Sequence, residues 1–213
     1  MKKFKKSKKR MLEAQPMAKK EKKSSKTLWM SIFISAIMVL SVIGFMSNSD
    51  DSNPDLDYNN FSFSITEDNR WVLNIKSPEK QQIMFYNHPS EVDYINLSSE
   101  ASSMLAGAKV IYATSDPDDI FKEEISLTEF EIKDLMGKRG VYFESFFTKD
   151  NQFSKPVVTC RNSTYYAPVL YFKQGNETRI SYENNCIMLE SESEYGIMKL
   201  RDRILYAFLG VIR

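Results

Sequence analysis

Histidine is almost missing from this sequence. His88 is the single one in 213 residues. Any Ser-His-Asp or Cys-His centre would have to be built on it. It sits in Asn87-His88-Pro89-Ser90, a loop-like context, and no Gly-x-Ser-x-Gly elbow accompanies it anywhere. The expected place for His88 is therefore an exposed loop. Glycine is also scarce at seven residues, and neither a G-x-x-x-x-G-K-[ST] nor a G-x-G-x-x-G run occurs, so nucleotide chemistry is not expected. No H-E-x-x-H or paired-cysteine spacing is present to hold zinc.

The two cysteines, Cys160 and Cys186, lack the C-x-x-C spacing that activates a thiol. Outside the cytosol two such cysteines pair. A structural disulfide is the expectation.

Charge is abundant but divided. Residues 1–26 carry twelve Lys/Arg against Glu13 and Glu21, a net of +10; the remainder holds 17 basic and 26 acidic residues, a net of −9. The basic tail has few apolar groups and repels itself, so disorder is expected there. Nucleic acid is not the expected partner, because the tail lacks interleaved aromatics and leads directly into a hydrophobic run.

That run, residues 27–46, reads TLWMSIFISAIMVLSVIGFM and contains no charge. At 1.5 Å per residue, twenty helical residues reach about 30 Å, the thickness of a bilayer's hydrocarbon core. It is longer than the apolar centre of a cleavable signal peptide. Lysines precede it and acids follow it, so the positive-inside rule orients the chain. The expected layout is a cytoplasmic tail (1–26), a transmembrane helix (27–46) in contact with lipid, a flexible stalk (47–60), and one extracytoplasmic domain (61–213).

Within that domain, residues 61–65 alternate apolar and polar side chains, as a half-buried strand does. Residues 71–75 and 83–86 extend this to a three-stranded meander, with turns at Glu67-Asp68-Asn69 and Ser77-Pro78-Glu79-Lys80. Ser98 or Ser99 caps a short helix. Residues 109–114 form a strand of buried type, and Asp116 with Pro117 opens a helix that Ser126 and Thr128 would divide. Strands follow at 141–147, 157–160, 169–172, 179–182 and 186–189, with Gly175-Asn176 as the hairpin turn joining the third and fourth of these. Ser191 and Glu194 fit a capping box for a last helix that Gly210 ends. The fold class is α/β or α+β, a mixed β-sheet packed by helices.

Asp116, Asp118 and Asp119 are the weak candidates for a metal or small-ligand site, since they follow a buried strand and offer hard oxygen donors. The same residues also make a favourable helix start. Arg161 through Tyr166, beside Cys160, is a second candidate pocket lining. Asn60, Asn96, Asn162 and Asn176 stand in N-x-[ST] sequons, all on the expected outer side, as possible glycosylation sites. No catalytic residue and no cofactor is expected. The expected role is a membrane-anchored interaction or structural module of the cell envelope with a protein partner. The alternative is a tethered small-ligand or metal-binding domain, with hydrolytic chemistry built on the aspartates.

Overall fold

Period-two hydrophobicity and asparagine-rich turns organise the first part of the domain. In the structure, a computed structural model that describes residues 25–47, 56–75 and 81–212, the chain divides into two units, Met1–Asp51 and Ser52–Arg213. In the first, helix α1 runs Ser25–Ser47, 23 residues of continuous backbone. Its side chains are described at Lys26 and at positions 29–41, and all of these are exposed. Over the described residues, no helix is long and apolar enough to cross a membrane. Most of the expected tail (1–26), part of the stalk and the turn at 77–80 lie outside the described residues.

The second unit is a mixed α/β fold with two sheets packed by helices. The expected single mixed sheet is thus two. The first is a four-stranded antiparallel meander: β1 (Leu56–Tyr58), β2 (Phe61–Ile65), β3 (Trp71–Ile75) and β4 (Gln81–Phe85), in that order. Strand β1 falls inside the expected stalk. What pairs it is the turn at Asn59 and Asn60, whose φ angles of 47° and 67° are those of a two-residue hairpin that asparagine tolerates. Phe63, Leu73 and Ile83 stand opposite one another across three strands and face the core. The other face is mixed: Val72 stands opposite Met84 there, and Asn74 bridges Ser64 and Gln82 through side-chain hydrogen bonds.

The second sheet has the order β6-β5-β7-β9-β8. Strands β5 (Val110–Ser115), β6 (Tyr142–Phe147), β7 (Val169–Gln174) and β9 (Cys186–Ser191) are parallel; β8 (Arg179–Glu183) is the antiparallel edge. The expected hairpin at Gly175-Asn176 does not form, because β9 inserts between β7 and β8. The hairpin turn is instead Asn184-Asn185, again with both φ positive (51° and 63°). Residues 157–160 are not a strand. Val157 makes an isolated bridge to Phe147, and Cys160–Asn162 is a single 3-10 turn.

Helix α2 (Pro89–Val92) follows the meander, and Ser98 caps α3 (Ser99–Gly107) by accepting from the Ala101 N–H. Helix α4 (Lys122–Gly137) starts six residues after Asp116 and runs unbroken through Ser126 and Thr128. The Ser126 hydroxyl donates back to the Lys122 carbonyl one turn earlier, a side-chain bond compatible with continuous helix. Helix α5 (Glu194–Leu209) is capped by Ser193, not Ser191, and ends at Gly210 with φ 74°. It is buried almost all round, from Gly196 and Ile197 to Ala207. It packs on β9, α3 and α4 and also stacks Tyr206 on Phe85 of the meander at 4.1 Å. This helix joins the two sheets into one core.

Candidate functional site

Helix α5 carries charge into that core. Asp202 has no exposure at all, and its neighbours Arg201 and Arg203 are 6% and 2% exposed. Ionised groups this deep need partners. Asp202 Oδ2 accepts from the Tyr86 N–H (2.9 Å), the Asn87 N–H (2.7 Å) and the Asn87 amide (2.9 Å). Oδ1 accepts from Arg201 at 2.6 Å. Burial pushes the Asp202 carboxyl above its ordinary value, opposed by the Arg201 charge and these donors.

Arg201 extends the network outward. Its Nε lies 2.9 Å from Glu131 of α4, and its Nη1 donates to the Met84 carbonyl of β4 at 3.2 Å. Glu131 also accepts from the Tyr86 hydroxyl at 3.0 Å, and the Arg70 guanidinium sits 3.8 Å over the Tyr86 ring. Arg70, Met84, Glu131 and Arg201 are among the residues lining a hollow of about 440 Å³ between β4 and α4, with Asp68 and Asp134 also in its wall. Ile83 and Leu135 are among its apolar lining, with Met84 and Phe130 exposed at its margin (59% and 68%). An edge strand, a helix, two arginines and exposed apolar side chains converge here.

The aspartates behave differently from a ligand site. Lys149 bridges Asp116 and Asp118 with 2.9 Å contacts to each. These pairs hold the Asp116 carboxyl below its ordinary value and push the Lys149 amine up to about 12. Asp116 Oδ1 also accepts from the Asp118 N–H, closing a local turn. Asp119 turns inward: it accepts from the Phe121 N–H (2.8 Å) and the Gln174 N–H (2.9 Å), tying the start of α4 to the end of β7. The three carboxylates do not converge. No group of three metal-ligating side chains occurs among the described residues.

His88 is not exposed. It is 9% accessible and rings Trp71, Phe63 and Tyr58 at 4.5, 5.3 and 5.8 Å. Its backbone N–H donates to Glu91 in a capping box for α2, and its Nδ1 lies 2.8 Å from the Ser90 hydroxyl. Burial lowers its pKa.

Cys160 and Cys186 form a disulfide (S–S 2.06 Å), with Cα atoms 5.2 Å apart. Beside it, Cys160, Arg161, Ser163, Glu183, Asn184 and Met188 line a shallow hollow of about 270 Å³. Ser163 is engaged in structure, donating to the Asn185 carbonyl and accepting from the Val169 N–H, while Tyr165 and Tyr166 project into solvent. Asn60, Asn96, Asn162 and Asn176 are all exposed. Asn162 is already engaged, accepting from the Thr159 N–H at 2.9 Å.

Sequence reasoning missed Arg70, Tyr86, Glu131, Arg201 and Asp202. One signal was present. Arg201 falls four residues after Ile197 and four before Leu205, so a charge interrupts the apolar stripe of the last helix. Comparison with protein-family models, curated proteins and solved structures found no match.

Proposed function

We propose that this protein is a single-pass membrane-anchored interaction module, with residues 1–26 in the cytoplasm and the α/β domain displayed on the outer side. One observation carries the membrane part. The α1 backbone stays helical across the whole uncharged run of residues 27–46, so each of its internal N–H groups can be satisfied without water. At 23 residues the helix reaches about 34 Å. Its side chains are described only at Lys26 and positions 29–41, a stretch in which no span is found, and there Ile32, Phe33 and Leu40 are exposed. The +10 tail on one side sets the orientation. The disulfide suits an oxidising compartment, and the four exposed sequons would accept glycans where the machinery exists.

The groove between β4 and α4 is the surface assigned to the partner. It combines exposed Met84 and Phe130 with charged groups already ordered by the Asp202 network. A shaped, partly apolar groove with fixed polar groups is suited to binding a partner.

Orientation is tested by adding protease to intact cells. Digestion of residues 56–212 with retention of the tail is expected; a domain cut solely after cell breakage overturns the reading.

A further inference from the structure

Successive residues of each meander strand alternate in the side toward which their backbone groups bond. The Thr66 N–H donates to the Arg70 carbonyl, so the bonded pairs of the β2–β3 hairpin continue at Ser64 with Val72 and Ser62 with Asn74. Val72 and Asn74 therefore bond to β2, whereas Trp71, Leu73 and Ile75 bond to β4. On β4 this turns Gln81, Ile83 and Phe85 toward β3, and Gln82, Met84 and Tyr86 away from the sheet.

Two of the outward groups are already met by α5. Asp202 accepts from the Tyr86 N–H, and Arg201 donates to the Met84 carbonyl. Two side chains thus stand where the backbone of a next strand would lie. The Met84 N–H and both backbone groups of Gln82 face the groove, and no backbone bond reaches them among the described residues. Strand β4 has no Lys, Asp, Glu or Pro to discourage pairing.

We propose that a partner polypeptide adds a short extended strand to β4 at Gln82 and Met84, seated between β4 and α4. This rests on reading the groove as the interaction surface and specifies its mode, strand addition. Charge defines the occupant further. The groove lining carries Asp68, Glu131 and Asp134 beside Arg70, Lys138 and Arg201, and Glu131 and Asp134 are paired with Arg201 and Lys138. That leaves Arg70 at one end of the edge and Arg139, bonded to the Gln81 side chain at 3.1 Å, at the other, against Asp68. An extended segment with carboxylates near its ends and small apolar side chains between them fits that pattern.

The probe is the acetylated, amidated hexapeptide Glu-Val-Thr-Val-Thr-Glu, titrated against the full chain in lipid nanodiscs. Its controls are the same peptide with N-methylated valines and a version with lysine at both ends. Binding of the acidic peptide should slow hydrogen exchange at the Gln82 and Met84 amides by about tenfold or more at saturation. The lysine-ended version should bind about tenfold more weakly, and the N-methylated version should give no protection. Gln82→Pro, a change edge strands tolerate, should weaken binding by about tenfold or more with melting temperature unchanged. Arg70→Gln should weaken the acidic peptide alone. Absence of protection at about millimolar peptide, or undiminished binding by both variants, overturns the proposal. Protease accessibility of the outer domain is unaffected by either result, so the membrane layout is judged separately.

Discussion

Asp202 Oδ2 lies 2.7 Å from the Asn87 backbone nitrogen, 115 residues away in the chain. This bond fixes the end of the meander to the central helix. Three N–H donors converge on that one oxygen while Arg201 takes the other. Asp202→Asn keeps the shape but turns an amide N–H₂ toward a guanidinium or toward backbone donors. A loss of about 3–5 kcal/mol is expected, as for a broken buried ion pair. Urea unfolding measures it; a loss below about 1 kcal/mol would show the network to be dispensable.

Glu129 sets a pH dependence. It is 7% exposed on α4, its Oε1 has no hydrogen-bond partner, and burial pushes its carboxyl up to about 7, opposed by Ser145 and Lys155. The folded state then holds a proton between 4.5 and 7 that the unfolded state releases. Stability contributed by that proton is full below about 4.5 and is lost as pH rises through about 7. The loss is of order 3 kcal/mol. Glu129→Gln should flatten this part of the melting-temperature profile. Chemical denaturation across that range is the check.

His88 acts with the opposite sign. Its lowered pKa favours the neutral ring within the aromatic cluster. Its contribution is present above the unfolded value near 6.5 and is lost as pH falls through the folded value. His88→Gln should reduce acid sensitivity below that range, even if it lowers stability overall. NMR titration of the single histidine reads the shift directly.

The disulfide links residues 26 apart. In the chain-entropy model, closing that loop contributes about 3.5 kcal/mol. Replacing both cysteines by alanine should lower the melting temperature by roughly 10 °C. Calorimetry of the oxidised protein and the double variant tests this, and equal melting temperatures would refute it.

Gly196 is required for packing. A Cβ there would lie 2.0 Å from the Ser191 hydroxyl oxygen and 2.3 Å from that of Thr178. Gly196→Ala should destabilise by about 1–3 kcal/mol despite alanine's better helix propensity. Thermal unfolding decides it.

Local chemistry was legible wherever nearest neighbours determine the outcome. Ser98 caps α3 because its own side chain reaches an N–H three residues on, and Gly210 closes α5 because a left-handed residue costs glycine little. Period-two alternation placed β2 and β3 for the same reason. The charge division and the uncharged run at residues 27–46 are likewise properties of sequence alone.

Tertiary structure decided which strands pair and which charges leave water. Gly175-Asn176 is a plausible hairpin turn, yet β9 takes the place beside β7 because its apolar residues Ile187 and Leu189 align with Leu170 and Phe172 in the core. Asp116, Asp118 and Asp119 are weak ligand candidates or a helix start by local pattern alone, and Lys149, from beyond β6, pairs with the first two. Arg201, Asp202 and Arg203 look like surface residues of a helix and are instead buried charges. Pairing and desolvation depend on contacts between residues distant in sequence, which no local pattern records.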